Sequence, residues 1–231
     1  MRAGETGRTE AGAIGIVGAG RMAGGIARRL SAAGHSMRVY DRQADSAHEL
    51  AAEPGTSAHR DVQRSPLEGV LAAPIVILAV RFPGTLEFAR AHAGELAGHV
   101  VVDISTPLDE TYEHLVLDPR TSGAEELAKA APAARIVKAF NTNLAVTLPE
   151  GNIDGIQLDT FVASDDREAK AMVIAALVGS GLRAIDTGAL ANSRVLEAMA
   201  AFGIELGDRY GLGQAFGFKY LPSRPLMLPP V

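Results

Sequence analysis

Residues 14 to 23 read Ile14-Gly15-Ile16-Val17-Gly18-Ala19-Gly20-Arg21-Met22-Ala23, an apolar run followed at once by a Gly-x-Gly-x-x-Ala motif. The run is typical of a buried parallel strand, and the apolar residues after it recur at helical spacing until Gly34. In this motif Gly18 permits a tight turn, Gly20 lets backbone amides approach a diphosphate, and Ala23 lets the helix pack closely on the strand. Because a helix N-terminus also carries partial positive charge, the motif predicts a dinucleotide-binding turn. A structural turn without phosphate is the alternative.

An acidic residue stands where such motifs hold the ribose. The second predicted strand, Met37-Arg38-Val39-Tyr40, ends at Asp41, about 20 residues after the glycines. Asp41 would accept hydrogen bonds from the ribose hydroxyls of NAD and repel the 2′-phosphate of NADP, whereas Arg42 would stack on the adenine or pair with that phosphate. An exposed Asp-Arg turn with no ligand role is the alternative. These two residues leave the choice between NAD and NADP open.

The composition is that of an ordinary globular protein. The 231 residues suffice for one large domain, or for one domain with a small appendage, and they are 47% hydrophobic and 21% charged. A net charge of −5 gives no sign of the basic surface that nucleic acid requires. The absence of cysteine excludes disulfides and thiolate chemistry, and no apolar run approaches the ~20 residues that span a bilayer. We therefore expect a cytoplasmic protein without nucleic-acid or membrane partners.

Strand and helix patterns alternate along the chain. After the first two strands, strands are predicted at residues 74–80, 99–104, 134–140, 159–163 and 182–186. Helices are predicted at residues 45–53, 83–97, 122–131, 169–179 (after a capping signature at 165–168) and 192–210. This order predicts an α/β fold with a doubly wound, mostly parallel sheet of the Rossmann type. The predicted parts are a flexible tail at 1–12, a dinucleotide-binding domain at 13–187, and a C-terminal helix with an irregular, proline-rich tail at 188–231.

Five loops follow predicted strands at their carboxyl ends, where open parallel sheets bind ligands. The loops at 18–23 and 41–42 would take the adenosine half of a dinucleotide, and those at 79–82, 105–106 and 140–143 would face the nicotinamide and its reaction partner. Arg81 is a candidate for a diphosphate or a substrate anion, or else a surface arginine. Four polar residues of these loops are candidates to donate hydrogen bonds to the carboxamide or the acceptor, or else are plain turn formers: Ser105, Thr106, Asn141 and Thr142.

No pattern of a strong acid, base or nucleophile occurs in the sequence. The six histidines all precede residue 120 without ligand spacing, so no metal site is predicted. Lys138 lies in the strand before Asn141, where it either points into the cleft as a proton donor or, in the interpretation we favour, reaches solvent from the sheet edge. The catalytic residue is therefore unknown. Direct hydride transfer between two bound cofactors fits, because it needs little from the protein beyond positioning.

Three stretches carry a family resemblance: Gly18–Ala23, Ile136–Thr142 and Asp186–Glu197. They resemble the deazaflavin-dependent NADP reductases, also called NADPH:coenzyme F420 oxidoreductases. The resemblance implies a homodimer in which hydride passes directly from a nicotinamide at the strand ends to a deazaflavin under a roof of C-terminal residues. It favours NADP(H), while Asp41 keeps NAD(H) possible, and it implies a deazaflavin or flavin as co-substrate.

The candidate site residues combine the strand-end loops with this resemblance. The cofactor-binding set is Gly18, Ala19, Gly20, Arg21, Met22, Ala23, Asp41, Arg42, Ala79, Val80, Arg81, Ser105 and Ala139. The substrate-binding set is Asn141, Thr142, Asn192 and Arg194.

Two positions depart from the family pattern. Members that reduce the deazaflavin typically have histidine where this chain has Asn141, and they hold the NADP phosphate with a Ser-Arg or Thr-Arg pair where this chain has Asp41-Arg42. The Lys138–Thr142 segment is closer to bacterial relatives of unassigned acceptor and to the reductase domain of metalloreductases. The prediction is an NAD(P)H-dependent oxidoreductase with a deazaflavin or flavin acceptor. The alternatives are a reductase of a small imine, keto acid or hydroxy acid, and a non-catalytic NAD(P)-binding sensor.

The long C-terminal helix is the expected dimer contact. It is predicted to carry one apolar stripe, formed by Val195, Leu196, Met199, Phe202 and Leu206. This stripe offers more apolar surface than one subunit is expected to cover, which favours a homodimer. Packing of the helix onto its own sheet is the alternative.

Overall fold

A parallel sheet forms the centre of the computed structural model, which describes residues 12–43, 45–47, 50 and 62–224. Its six described strands are β1 (Ile14–Val17), β2 (Met37–Tyr40), β3 (Val62–Arg64), β4 (Ile75–Leu78), β5 (Val100–Asp103) and β6 (Arg135–Lys138). They lie side by side in the order β3-β2-β1-β4-β5-β6. The order reverses between β1 and β4, so the carboxyl ends of these two strands form the switch point at which such sheets bind ligands. The predicted doubly wound α/β fold is confirmed.

Helices cover both faces of this sheet. The described helices are α1 (Arg21–Ala32), α2 (Leu67–Leu71), α3 (Phe82–Ala91), α4 (Gly123–Ala130), α5 (Arg167–Ala176) and α6 (Ser193–Arg209). Consecutive residues of one strand face opposite sides of the sheet and belong to two separate apolar clusters. Ile77 of β4 packs with α1 and α5, and Leu78 packs with α3 and α4. A strand buried on both faces must be apolar throughout, which is why the apolar runs predicted these strands correctly.

A second pair of strands extends the sheet at its β6 edge. Strands β9 (Asp159–Val162) and β10 (Arg183–Asp186) run parallel to each other. An antiparallel bridge joins them to β6: the amide of Lys138 donates to the carbonyl oxygen of Ala163 at 2.8 Å, and the amide of Ala163 donates to the carbonyl oxygen of Lys138 at 3.0 Å. Between β6 and β9 lies a short hairpin of β7 (Asn152–Ile153) and β8 (Ile156–Gln157). This hairpin and the three-residue β3 were not predicted.

Several predicted bounds differ from the structure. The helix predicted at 83–97 ends at Ala91, and turns containing Gly94 and Gly98 follow it. The helix predicted at 169–179 spans Arg167–Ala176, and the carboxylate of Asp166 caps it by accepting from the amide of Ala169 at 2.9 Å. The predicted flexible tail lies outside the described residues except for Gly12, as do part of the helix predicted at 45–53 and residues 225–231.

The apolar stripe predicted for α6 is divided between two faces of the helix. Leu196 is buried against Phe161 and Ile185, whereas Val195 and Phe202 are 58% and 55% exposed. The face of α6 that packs on its own chain is formed largely by small or polar residues, namely Ser193, Glu197, Ala200, Gly203 and Gly207.

The described part of the C-terminal tail has no helix or strand, as predicted, and lies against α6 and β9. The ring of Phe216 occupies a notch at Gly203, where a Cβ atom would lie 2.6 Å from it. The buried carboxylate of Asp159 accepts from the Lys219 ammonium and from the amide of Tyr220, both at 2.8 Å. Of the helices in the described residues, none is long and apolar enough to cross a membrane.

Candidate functional site

The glycine-rich loop has the geometry that the motif predicts. Gly18 adopts φ +101°, and a Cβ atom there would lie 2.5 Å from the carbonyl oxygen of Ala79, so the position excludes any side chain. Gly20 is the N-cap of α1, and a Cβ atom built on it meets no described atom within 4 Å. The space beside Gly20 at the N-terminus of α1 is therefore open, as a phosphate cradle requires.

Asp41 lies directly beside this loop. One carboxylate oxygen accepts a hydrogen bond from the backbone amide of Ala19 at 2.9 Å, and the other accepts from the amide of Gln43 at 2.8 Å. These bonds hold the carboxylate at the carboxyl end of β2, next to the candidate diphosphate loop. Arg42 is exposed. That the two residues flank an adenosine ribose stays a prediction.

The ends of β4 and β5 supply the next part of the same edge. Ala79 continues the pairing with β1, and Arg81 is exposed at the N-cap of α3 with its guanidinium 3.5 Å from the hydroxyl of Tyr112. Ser105 is buried, and both its amide and its hydroxyl donate to one oxygen of Asp103, at 2.9 and 2.7 Å. Since that hydroxyl hydrogen is engaged by Asp103, the Ser105 oxygen is left as an acceptor.

The chain turns sharply at the end of β6. Phe140 adopts φ +62°, a left-handed conformation that costs a non-glycine residue roughly 1–2 kcal/mol, and its ring is 1% exposed. The turn directs the Asn141 amide group to the carbonyl oxygen of Leu196 on α6, at 2.9 Å. The Oδ1 atom of Asn141 and the hydroxyl of Thr142 are buried without a described hydrogen-bond partner, so a water or a ligand group would satisfy them. Backbone strain of this kind is concentrated at functional sites.

The position of Lys138 corrects both interpretations made from the sequence. Its side chain is fully buried, so it neither reaches solvent nor points into an open cleft. The ammonium lies 2.8 Å from Asp103 and 2.6 Å from Glu197, and it also donates to the carbonyl oxygen of Ser105. The bridge to Ala163 and the packing of α6 close the sheet edge over it. Burial alone would lower the pKa of Lys138, but the two carboxylates outweigh it and the pKa is raised.

Glu197 is the functional candidate that the sequence analysis missed. It is 2% exposed, and its second carboxylate oxygen accepts from the amide of Gly123 at the start of α4, at 3.0 Å. Burial raises the pKa of Glu197, an effect that Lys138 opposes and Asp103 reinforces. No local sequence pattern indicated this cluster: Asp103 and Lys138 face each other only through the register of β5 and β6, and Glu197 lies outside the apolar stripe predicted for the helix.

Asn192 and Arg194 lie at the start of α6. Asn192 ends a 3₁₀ turn, Leu190–Asn192, and its amide group donates to the carbonyl oxygen of Thr187. Arg194 pairs through two hydrogen bonds with Glu125 of α4, one of them 2.8 Å long, and this pairing lowers the pKa of Glu125. The five predicted loops follow the carboxyl ends of parallel strands, so they lie at one edge of the sheet. Asn141 and Lys138 contact α6, and these contacts place the helix at the same edge.

Several known proteins are similar to this chain in sequence or fold. A sequence model described as "NADP oxidoreductase coenzyme F420-dependent" matches residues 13–107. The F420-dependent NADP reductase of Methanocaldococcus jannaschii is 33% identical over 141 residues, which cover 59% of this chain and 63% of that protein. The crystal structure of a candidate F420-dependent NADP reductase from Arthrobacter sp. FB24 superposes with a TM-score of 0.76 at 27% identity, covering 92% of this chain and 100% of that one. The chain is thus similar in sequence and in fold to coenzyme F420-dependent NADP reductases.

The family resemblance inferred from the sequence is thus confirmed. Similarity also extends to metalloreductase STEAP3 of Rattus norvegicus, which is 33% identical over 191 residues, covering 82% of this chain. This chain spans 36% of the length of that metalloreductase and 63% of the Methanocaldococcus jannaschii reductase. The part that matches the family model contains the glycine-rich loop, Asp41, Arg81 and Ser105, whereas Asn141 and the start of α6 lie beyond it.

Proposed function

We propose that the chain is an NADPH-dependent oxidoreductase that transfers hydride directly between a nicotinamide and coenzyme F420 or another flavin-type acceptor. The observation that carries this proposal is the open cradle at Gly20, next to a carboxylate that is held at the carboxyl end of β2. Similarity of residues 13–107 to NADP oxidoreductases supports NADP(H) as the dinucleotide. The carboxylate of Asp41 keeps NAD(H) as a second possible substrate.

The dinucleotide would lie along the carboxyl ends of β1, β2, β4 and β5. In this proposal the amides at the start of α1 bind the diphosphate, and Asp41 and Arg42 flank the adenosine ribose. The nicotinamide, which supplies the hydride when it is bound, extends toward Ala79, Ser105 and Ala139. Arg81 is exposed beside this path and is available to an anionic group.

The chain itself offers little acid–base chemistry at the described part of this edge. Asp103, Lys138 and Glu197 are closed off from solvent and satisfy one another's hydrogen bonds. Their burial favours a reaction in which the protein positions two reactive partners and excludes water. The other acidic groups of α6, Glu205 and Asp208, are exposed; Glu205 lies roughly 16 Å along the helix from Arg194 at 1.5 Å per residue, too far to serve the same edge. A small imine or keto acid that needs a proton donor from this helix is therefore not favoured.

The acceptor would bind between the end of β6 and the start of α6. We assign Asn141, Thr142, Asn192 and Arg194 to this side, with α6 and the tail that lies on it as the roof. In this scheme residues 13–187 form the dinucleotide-binding domain and residues 188–231 the roof and dimer contact. We further propose a homodimer, because α6 presents Val195 and Phe202 to solvent. A cytoplasmic location is proposed on the sequence alone.

Turnover by the purified protein tests the proposal. The loss of reduced-nicotinamide absorbance is followed with NADPH and with NADH, each against coenzyme F420, FMN and a set of cyclic imines. We expect NADPH oxidation with F420 or FMN and none with the imines. Tight NADPH binding without turnover on any of them would support a sensor instead, and failure to bind either dinucleotide would overturn the proposal.

A further inference from the structure

A buried ion cluster lies directly beneath the proposed binding edge. It consists of Asp103, Lys138 and Glu197, and we refer to it as the ion cluster. All three hydrogens of the Lys138 ammonium have acceptors, namely Asp103 at 2.8 Å, Glu197 at 2.6 Å and the carbonyl oxygen of Ser105. The remaining carboxylate oxygens accept from Ser105 and from the amide of Gly123. The network is complete and contains no solvent-facing member.

Burying ionised groups carries a desolvation penalty, so such a cluster is an energetically costly way to stabilise a fold. The side chains of Lys138 and Asp103 are 0% exposed and that of Glu197 is 3% exposed. With all three groups ionised the cluster has one excess negative charge, which the N-terminus of α4 at Gly123 partly offsets. Apolar residues of similar volume often replace buried ion networks without loss of stability. Stability alone therefore gives little reason for placing three ionisable groups at this position.

The position of the ion cluster suggests its role. Asp103 and Lys138 end β5 and β6 in facing register, immediately before the strand-end residues that would border the nicotinamide. Glu197 lies one turn after Arg194 on α6, on the acceptor side. The adjacent residue, Leu196, accepts the hydrogen bond from Asn141. Two successive residues of α6 therefore contact the end of β6: Glu197 pairs with Lys138, and the Leu196 carbonyl oxygen accepts from Asn141.

We propose that Lys138 and Glu197 are positioning residues that set the distance between the nicotinamide and the acceptor. This inference rests on the proposed function. Neither side chain reaches the cleft, so both act through the backbone that they join: Lys138 through the turn at Phe140, and Glu197 through the first turn of α6. Hydride transfer needs the reacting atoms about 3–3.5 Å apart, and a shift of ~1 Å lowers the rate by roughly 100-fold. The Lys138 ammonium is hydrogen-bonded to Asp103 of β5 and to Glu197 of α6, and these bonds limit such a shift.

The first test separates hydride transfer from dinucleotide binding. In Lys138→Met/Glu197→Met both charges of the ion pair are removed together, and in Glu197→Gln the shape is kept while the charge is lost. We expect single-turnover hydride transfer from NADPH to F420 to fall about 30-fold or more in the double variant, with saturating acceptor unable to restore it. Calorimetry should give an NADPH Kd within about threefold of wild type. Deuteration of the transferred position should slow this step in every variant, which identifies it as the chemical step.

The matched control lies at the other end of the same strand. Arg135 begins β6 and pairs with Asp166 at 2.6 Å and with Glu168 at 2.8 Å, roughly 10 Å from Lys138 at 3.3 Å per residue. Arg135→Met should lower stability and leave the hydride-transfer rate unchanged. An unchanged rate in the folded double variant, or an equal loss of NADPH affinity and rate, would overturn the positioning role.

Hydrogen exchange provides a readout that does not depend on turnover. If the ion cluster positions α6, amides of residues 193–200 should exchange at least about tenfold faster in the double variant and in Glu197→Gln, and at the wild-type rate in Arg135→Met. Unchanged exchange in α6 refutes the inference even if the wild-type protein transfers no hydride. Absence of wild-type turnover with faster exchange refutes the proposed function and leaves the positioning of α6 supported.

Discussion

The carboxylate of Asp41 accepts a hydrogen bond from the backbone amide of Ala19 at 2.9 Å, across 22 residues of sequence. The bond joins the end of β2 to the middle of the glycine-rich loop. In the proposed binding mode it also places a negative charge where the 2′-phosphate of NADP would approach. The dinucleotide preference of this chain therefore depends on how well Asp41 tolerates that phosphate.

Replacing Asp41 should shift the preference toward NADPH. In Asp41→Ser the like charge is removed, so we expect the ratio of NADH to NADPH dissociation constants to rise about tenfold or more, which corresponds to ~1.4 kcal/mol. Calorimetry with both dinucleotides measures this ratio. Asp45→Ser is the matched control, since Asp45 is an exposed carboxylate on the following segment. An equal change in both constants for Asp41→Ser would show that the residue only supports the loop.

Two glycines of one loop should respond differently to the same substitution. Gly18→Ala forces a Cβ atom into a left-handed residue 2.5 Å from the Ala79 carbonyl oxygen, so we expect a loss of about 1–3 kcal/mol in the free energy of unfolding. Gly20→Ala meets no described atom and should change stability by less than about 1 kcal/mol.

Dinucleotide affinity should separate these two variants again. The Cβ atom at position 20 occupies the space that the diphosphate needs, so Gly20→Ala should weaken NADPH binding while the protein stays folded. Urea titrations give the stabilities, and calorimetry gives the affinities. If Gly20→Ala binds NADPH as tightly as the wild type, the phosphate does not lie at the start of α1.

The sheet could be predicted because its signals are local. Ile77 and Leu78 of β4 face opposite clusters, and a strand buried on both faces leaves a continuous apolar run in the sequence. The positive φ of Gly18 follows from a motif that fits one kind of turn. The sequence of the chain near these residues already contains the reason for their conformation.

The ion cluster could not be predicted in the same way. Whether the last residue of a strand reaches solvent depends on what packs beyond the sheet edge. Here β9 and α6 cover Lys138, and both come from the part of the sequence after residue 158. Sequence patterns suggested an exposed Lys138 because nothing near it indicates two carboxylates, 35 and 59 residues away. The left-handed Phe140 is a similar case, since its conformation is stabilised by long-range burial of the ring.

The pair Arg135–Asp166 should produce a measurable pH dependence of stability. Hydrogen bonds from Arg135, together with the amide of Ala169, lower the pKa of Asp166 from 3.8 to about 2. A carboxyl with a depressed folded-state pKa stabilises the protein above its unfolded pKa, and this contribution is lost as pH falls from about 4 to about 2.

Asp166→Asn isolates that effect, because asparagine retains the helix cap but not the charge. The variant should be less stable than wild type near neutral pH, by at most about 1 kcal/mol because the pair is partly exposed. The difference should vanish as pH approaches 2. Urea titrations of both proteins across this range measure it, and Glu168→Gln should show a smaller difference since its side chain is 79% exposed. A constant difference at all pH values would mean that the charge of Asp166 is not involved.

The exposed apolar residues of α6 give the last prediction, which concerns the proposed homodimer. Val195 and Phe202 lie two helical turns apart, so they share one side of α6, and they are 58% and 55% exposed. An arginine placed at such a contact would be buried without a partner charge, so Phe202→Arg should convert a dimer into a monomer. Light scattering at micromolar concentration measures the mass. Val178→Arg is the control, because Val178 is 74% exposed just after α5 and its replacement should leave the mass unchanged. A wild-type protein that is already monomeric would remove the basis for this contact, and a dimer that persists in Phe202→Arg would place it on another surface.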